Sequence, residues 1–175
     1  MLIRKATATD TDAVAAIYQK IHATGDAFTG WIDGVYPTRN TVLAALARED
    51  LFVLKEDSRI VGSAILNQLQ MDSYAQGQWQ HPCSADQVMV MHTLTIDPDY
   101  AGRGYGKAFV HYYEQYAAGQ GCTVLRMDTQ EKNLPARALY RRLGFTEVGI
   151  VLCVFNGIPD VRLVLLEKAV STSGR

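Results

Sequence analysis

A glycine-rich loop between a predicted strand and a predicted helix carries the first pattern with chemical meaning. Residues 96–107 read IDPDYAGRGYGK, with glycine at positions 102, 104 and 106. Positions without side chains let backbone N–H groups converge on an anion at the N-terminus of a helix, so the loop is a candidate phosphate-binding site. Glycines that serve only a tight turn are the alternative. Ala101 and Ala108 break the P-loop pattern, and the third glycine comes one residue too early for a dinucleotide-binding fingerprint.

A polar residue and a phenol share one face of a later predicted helix. Residues 133–145 read NLPARALYRRLGF, in which Tyr140 follows Asn133 by seven residues, or two helical turns. The two side chains are therefore expected to face the same volume. A core aromatic on an amphipathic helix is the alternative interpretation of Tyr140.

Taken together, the loop and the helix resemble two motifs of the GNAT superfamily of acetyl-CoA-dependent N-acyltransferases. The family's R/Q-x-x-G-x-G/A loop is matched from Ala101 to Gly106. Its N-x-x-A-x-x-L-Y-x-x-x-G-F helix is matched at every named position, by Asn133, Ala136, Leu139, Tyr140, Gly144 and Phe145. The resemblance is specific over residues 92–145 and follows the whole chain in segment order. Ala101 departs from the family's Arg or Gln, which leaves Arg103 or Lys107 to supply a positive charge.

The resemblance implies where acetyl-CoA would bind. The cosubstrate would lie in a V-shaped gap between strand 88–97 and strand 122–128. Its pantetheine arm would contact one strand and one helix, at Leu94, Thr95, Ile96, Asn133 and Ala136. Its pyrophosphate would be held by the backbone of the loop, at Gly102, Arg103, Gly104, Tyr105, Gly106 and Lys107.

The resemblance also implies two catalytic roles. The Leu94 N–H would donate to the thioester oxygen, as in an oxyanion hole. Tyr140 would face the sulfur. A phenol with a pKa of about 10 stays protonated at neutral pH and can protonate a leaving thiolate, whose thiol has a pKa of about 8.5.

The attacking amine needs a proton acceptor, because an alkyl amine with a pKa near 10.4 is almost entirely protonated at neutral pH. His92 is the first candidate, since it lies two residues before Leu94 and, in a regular strand, on the same face. The other candidates are Asp128, Glu131, Tyr74 and Asp72. The aromatic residues of two long loops form either a cage for the acceptor or a hydrophobic plug, and they are Phe28, Trp31, Tyr36 and Tyr74.

Periodicity and turn residues predict the elements that position these side chains. Strands are expected at 2–6, 88–97 and 122–128 and in two hairpins, 51–55 with 59–69 and 145–155 with 159–169, the second around Asn156-Gly157. Helices are expected at a segment capped by Thr9 and Asp12, at 40–49, after the glycine loop and at 133–143, with a long loop at 70–86. The predicted fold class is α/β (α+β). One domain at 1–170 would hold a mixed, mostly antiparallel sheet of about seven strands flanked by about four helices, followed by a frayed tail at 171–175.

Composition limits the class of protein further. Among 175 residues, 17 Lys and Arg oppose 18 Asp and Glu, and this net charge of −1 argues against nucleic acid and membrane surfaces as partners. No segment is apolar enough for a membrane span or a secretion signal, so a cytoplasmic location is expected. Cys83, Cys122 and Cys153 are expected to be free thiols, and no metal site is expected.

The sequence as a whole favours an N-acetyltransferase that moves the acetyl group of acetyl-CoA directly to the primary amine of a small molecule or amino acid. A lysine or N-terminal amine of a protein is an alternative acceptor. A non-catalytic acyl-CoA sensor is the alternative from another class, and a homodimer stays open.

Overall fold

Seven strands and four α-helices are formed by the residues that the computed structural model describes, 1–25 and 28–170. The strands are β1 (Leu2–Lys5), β2 (Leu51–Glu56), β3 (Arg59–Asn67), β4 (Val88–Ile96), β5 (Val124–Gln130), β6 (Thr146–Phe155) and β7 (Ile158–Ala169). The helices are α1 (Thr11–Ala23), α2 (Arg39–Ala47), α3 (Tyr105–Gly119) and α4 (Leu134–Arg142). The predicted order of elements is confirmed, and the predicted tail at 171–175 lies outside the described residues.

The strands form one mixed sheet in the order β1-β2-β3-β4-β5-β7-β6. All neighbours are antiparallel except β4 and β5, which run parallel. The parallel ladder begins with Val88 opposite Val124 and ends with Met91 opposite Met127. Both strands continue beyond this point, so a gap opens between them where their carboxyl-terminal halves diverge. The expected splayed pair is therefore present.

A β-bulge in β4 lies at the start of this gap. On β3, Ser63 pairs with Thr95 and Ile65 pairs with His92, so three steps along β4 match two steps along β3. Thr93 within this step has φ 52, in the left-handed region that a β-branched residue rarely adopts. Because side chains alternate along a strand, one extra residue reverses the faces of everything beyond it.

The two faces of the sheet carry separate cores. Helices α3 and α4 cover one face, where Phe109 and Tyr113 pack with Met127 and Leu166. Helices α1 and α2 cover part of the other face, where Val14 and Val42 belong to one cluster. Residues 70–86 complete that second face.

The loop 70–86 is attached to the sheet by a buried charge cluster. Arg126 on β5 pairs with Glu167 on β7 at 3.1 Å, and its guanidinium stacks 4.0 Å from the Trp79 ring centroid. The second Glu167 oxygen accepts the Gln80 N–H at 2.7 Å. The loop therefore forms a wall of the molecule, and Tyr74 within it is 2% exposed.

Two local predictions have different outcomes. The Asn156-Gly157 hairpin is confirmed, with positive φ at both turn residues. The predicted cap at Thr9 and Asp12 is wrong by two residues: Thr7 and Asp10 form a capping box on the 3-10 turn Ala8–Asp10 that leads into α1, and the Asp10 carboxylate accepts the Thr7 N–H at 2.8 Å. Arg4 holds the pKa of Asp10 at about 2, which keeps this carboxylate charged.

Within the described residues, no helix is long and apolar enough to span a membrane.

Candidate active site

The gap between β4 and β5 exposes backbone groups of β4. The Asp97 N–H donates to the Val61 carbonyl at 2.8 Å, and the Thr95 carbonyl lies against Gly62, so both residues turn their backbone towards β3. Because backbone groups alternate in direction along a strand, Leu94 and Ile96 turn theirs towards the gap. The prediction that Thr95 also contributes backbone groups to the gap is wrong, and its side chain is used by a buried hydrogen bond to Ser63 at 2.8 Å.

A cavity of about 230 Å³ occupies this gap, and we call it the gap cavity. It brings together the predicted residues of β4, the glycine loop and α4. Its lining includes Trp31, Leu94, Ile96, Gly106, Asp128, Asn133, Ala136, Tyr140 and Phe155. Residues of both sequence motifs therefore line one cavity. Their separation in the chain did not by itself predict this arrangement.

Asn133 and Tyr140 enter the gap cavity from the same face of α4. Asn133 caps the helix, because its Oδ1 accepts the Ala136 N–H at 3.2 Å, and this leaves its amide N–H groups as donors. Tyr140 is 7% exposed. Burial first, and then the nearby Asp128 charge, raise the pKa of Tyr140 well above its usual value. The phenol therefore stays protonated at any ordinary pH, so its hydroxyl is available as a hydrogen-bond donor, although the raised pKa makes it a weaker acid.

The glycine loop fits an anionic group. Gly102 and Gly104 have φ of 76 and 82, and nothing lies within 4 Å of the position that a Cβ would take at either. α3 begins at Tyr105, so its first N–H groups have no partner within the helix. The Arg103 guanidinium lies 4.9 Å from the Tyr100 ring centroid, and Lys107 is exposed beside it.

A second and larger cavity, of about 700 Å³, opens on the face covered by α2, and we call it the outer cavity. Four residues line both cavities: Met91, Thr93, Asp128 and Phe155. The two volumes therefore meet at the bulge of β4 and the end of β5.

Asp128 stands at the junction of the two cavities. The Tyr74 hydroxyl donates to its Oδ2 at 2.7 Å. Burial raises the pKa of Asp128 to about 6, and the Tyr74 hydrogen bond opposes that rise. The charge of Asp128 also raises the pKa of both Tyr36 and Tyr140, which indicates that it lies close to each. This carboxylate can exchange a proton near neutral pH.

His92 lies in the outer cavity but not where the sequence predicted. The bulge puts His92 on the face of Ile65 and Thr95, opposite Leu94, so the expected shared face is wrong. Its Nε2 lies 3.0 Å from Asn67 Oδ1, which also accepts the Leu69 N–H at 3.0 Å. Burial lowers the pKa of His92 to about 4. The ring is neutral at pH 7 and a weak proton acceptor.

The remaining candidate bases lie elsewhere. Glu131 pairs with Arg162 at 2.6 Å, and Asp72 is exposed on a short 3-10 turn. Neither lines the gap cavity or the outer cavity. Among the described residues, no group of three or more His, Cys, Asp and Glu side chains is arranged to hold a metal ion.

The four predicted aromatic residues do not form one cage. Tyr36 lines the outer cavity, and its hydroxyl hydrogen-bonds the Thr93 hydroxyl. Trp31 lines the gap cavity, and Phe28 lines a shallow groove beside β4. Tyr74 lines neither of the two main cavities and packs in the interior, where its hydroxyl holds Asp128. Tyr36 contacts both Trp31 and Phe155, with ring centroids 6.2 and 5.4 Å apart.

Several residues of the outer cavity carried no recognisable sequence pattern. They are Arg48 after α2, Asn67 at the end of β3, and Phe155 and Asn156 at the β6–β7 hairpin. The Asn-Gly pair identified the hairpin turn. Nothing in the sequence indicated that this turn reaches β4 from across the sheet.

Comparison with known proteins defines the class. Residues 14–145, well over half of the chain, match the acetyltransferase (GNAT) family, and the chain belongs to that family. It is 28% identical over 106 residues to streptothricin acetyltransferase of Escherichia coli, covering 61% of this chain and 58% of that protein. It is 30% identical over 103 residues to aminoglycoside N(6')-acetyltransferase type 1 of Klebsiella aerogenes, covering 59% of this chain and 62% of that protein. The matches thus span less than two thirds of either relative.

A solved structure supports the fold over the whole chain. An acetyltransferase structure from Salmonella typhimurium, which contains its cofactor acetyl-CoA, matches with a TM-score of 0.70 and 21% identity. The match covers 100% of this chain and 96% of that one. At this identity the likeness establishes the fold, a single GNAT-like domain with a mixed sheet.

Proposed function

We propose that this chain is an acetyl-CoA-dependent N-acetyltransferase that transfers the acetyl group directly to a primary amine of a small molecule. One observation carries the proposal. The gap cavity is lined by a strand edge with free backbone groups, by Gly106 at the N-terminal end of α3 and by a buried phenol, and it joins a second cavity at a titratable carboxylate. These are the parts that acyl transfer between two bound substrates requires.

The residues present fit acetyl-CoA. The open backbone at Gly102 and Gly104, with the first N–H groups of α3, suits a pyrophosphate. Leu94, Ile96 and the Asn133 amide suit the amides of the pantetheine arm. When bound, acetyl-CoA supplies a thioester, whose carbonyl carbon is open to attack by an amine.

The residues of the chain then have separate tasks in the transfer. The Leu94 N–H faces the gap and stabilises the negative charge that develops on the thioester oxygen as the amine nitrogen bonds to the carbon. The nitrogen becomes acidic as this bond forms, and Asp128 accepts its proton. Tyr140 gives its proton to the sulfur as the C–S bond breaks, and both groups return to their starting states by exchange with water.

Asp128 replaces His92 as the proposed proton acceptor. It lies at the junction of the cavities, whereas His92 lines the outer cavity alone. Its pKa of about 6 also matches the task better than a pKa of about 4, because a stronger base accepts the proton more readily while remaining ionised at pH 7. Tyr74 is a positioning residue for Asp128.

The outer cavity favours a small acceptor over a protein. A volume of about 700 Å³ is within the usual range of small-molecule sites, and residues of α2, β3, β4 and the β6–β7 hairpin line it. A peptide amine is the alternative acceptor, and the assay below includes it.

Calorimetry and turnover test the proposal. Acetyl-CoA should bind with a measurable dissociation constant, and incubation with a panel of primary amines should release free CoA thiol with one acetylated amine for each thiol. Tyr112 on α3 provides a matched control for Tyr140, since both are tyrosines of helices and Tyr112 lines neither cavity. Acetyl-CoA binding without any acetylated product from amines or peptides would favour the sensor alternative and overturn the proposed activity.

A further inference from the structure

Arg48 is a fixed positive charge at the wall of the outer cavity. Its Nε and Nη2 donate to the two oxygens of Asp50, at 2.7 and 3.2 Å. The Asp50 side chain is 9% exposed, whereas that of Arg48 is 43% exposed. Within the described part of the chain, Arg48 Nη1 has no hydrogen-bond partner. One edge of the guanidinium is therefore anchored, and another donor remains available.

The anchor belongs to a network that reaches two strands of the site. Asp50 also accepts the Asn67 amide N–H at 2.8 Å, and Asn67 in turn bonds His92. The charge of Arg48 lowers the pKa of His92 and also acts on Tyr36, so its field reaches other walls of the cavity. Asp50 offsets much of the charge of Arg48, but the pair fixes the guanidinium and leaves the Nη1 donor unpaired among the described residues.

Few charged side chains line the outer cavity, and those that do have opposite signs. Among the described residues that line it, Arg48 is the one permanent cation and Asp128 the one carboxylate. The other polar walls are neutral hydroxyls and amides, and His92 is neutral near pH 7. A polycationic acceptor would require several carboxylates, which these walls do not offer.

The geometry points to an acceptor that carries a carboxylate as well as its primary amine, with the amine at Asp128 and the carboxylate at Arg48 Nη1. The inference rests on the proposed N-acetyl transfer and names its substrate class. Arg48 leads directly into β2, and β3 and β4 lie between β2 and β5. Neighbouring strands are about 4.8 Å apart, so the acceptor spans the cavity rather than occupying one corner. Apolar walls at Val35, Leu69 and Met71 suit a hydrocarbon body between the two charged groups.

Matched acceptors test this inference. Two series are compared, 6-aminohexanoate with hexylamine and 5-aminopentanoate with pentylamine, because each acid separates its amine from its carboxylate by a hydrocarbon chain. In one or both series, the acceptor with a carboxylate should have a kcat/KM at least tenfold higher than its neutral counterpart, because it gains a charge-assisted hydrogen bond. In Arg48→Gln this ratio should fall below threefold, and the ratio is the readout because both amines of a series meet the same altered cavity wall. Arg48→Lys should retain part of the preference.

Arg39→Gln is the matched control. Arg39 begins the same helix, pairs with the exposed Asp12 and does not line the outer cavity, so its loss should leave the ratio unchanged. Melting temperature and acetyl-CoA affinity establish that each variant is folded, because removing Arg48 leaves Asp50 without its partner.

The outcomes separate this inference from the function on which it rests. Equal rates for carboxylate and neutral amines, with no change in Arg48→Gln, would overturn the inference and leave N-acetyl transfer intact. Preference for an aminophosphonate, or for a peptide N-terminus, over every amino acid would also overturn it. Failure to bind acetyl-CoA and to acetylate any amine would overturn the proposed function itself.

Discussion

Replacing Asp128 by Asn tests the proposed proton acceptor with little change of shape. Asn keeps an oxygen that can accept the Tyr74 hydroxyl but cannot take up a proton at neutral pH. Burial raises the pKa of Asp128 to about 6, so about a tenth of the carboxylate is ionised at pH 5 and about nine tenths at pH 7. If the carboxylate accepts the proton, its contribution to kcat/KM should rise about tenfold between these pH values.

Initial rates of CoA thiol release measure this effect. The ratio of native to Asp128→Asn kcat/KM removes the ionisation of the acceptor amine, which is common to both enzymes. At pH 7 the ratio should be on the order of 10² to 10⁴, the usual contribution of a general base. It should fall about tenfold at pH 5, where most Asp128 is already protonated.

His92→Gln is the matched control, because it changes the other titratable group of the outer cavity. It should retain the rise with an apparent pKa near 6, since His92 itself has its pKa lowered to about 4. Activity of Asp128→Asn within threefold of native at pH 7, or loss of the rise in His92→Gln, would refute the assignment of the base to Asp128.

The same substitution has a signature in stability. The pKa of Asp128 is raised from 3.8 to about 6 on folding, so folding favours its protonated form. The benefit is complete below pH 4 and is lost as pH rises through about 6, by about 3 kcal/mol at most. Asp128→Asn should therefore melt higher than the native chain at pH 8, and the difference should shrink towards pH 5. No difference at either pH would contradict burial of the carboxylate.

Two further substitutions test the acid and the glycine loop. Tyr140→Phe should lower kcat at least tenfold, while acetyl-CoA affinity changes only a few fold because the buried ring is kept. The control Tyr112→Phe should leave kcat unchanged. Full activity in Tyr140→Phe would remove the phenol from the mechanism. Gly104→Ala and Gly121→Ala impose the same strain, since φ is 82 and 77 and open space lies beyond both, yet only Gly104→Ala should weaken acetyl-CoA binding in calorimetry. Equal affinities in those two variants would refute the placement of the pyrophosphate.

Local patterns predicted most of the fold. The Asn156-Gly157 turn, the glycine after α4 and the alternating apolar residues of the strands act over a few neighbours, and each was read correctly. The motif helix was also predicted, because Asn133 and Tyr140 need only helical periodicity to share a face. The order of the elements followed from these signals.

Long-range packing decided what the sequence did not predict. No local pattern marks the bulge, since Thr93 adopts a positive φ that its β-branched side chain disfavours. The prediction that His92 shares a face with Leu94 assumed regular alternation of side chains along β4. The bulge interrupts that alternation, so the prediction is wrong. Tyr74 was predicted in either a cage or a hydrophobic plug because it lies in a polar loop. The Arg126, Glu167 and Trp79 cluster and the hydrogen bond from the Gln78 N–H to the Val148 carbonyl hold that loop on the sheet, where Tyr74 packs in the interior.

In the proposed mechanism, the bulge at Thr93 and the alternation of β5 together separate the two proton routes. Strain of this kind costs on the order of 1–3 kcal/mol and persists where surrounding contacts enforce it, here the β3 pairing on both sides and the Tyr36 hydroxyl. Beyond the bulge, the Leu94 backbone faces the gap. Alternation along β5 places Met127 in the core under α3 and α4 and Asp128 on the opposite face with Tyr74, whereas Tyr140 approaches from α4. In the proposed mechanism, the proton from the amine and the proton to the sulfur therefore use different faces of the sheet, so the base and the acid need not exchange a proton with each other during turnover.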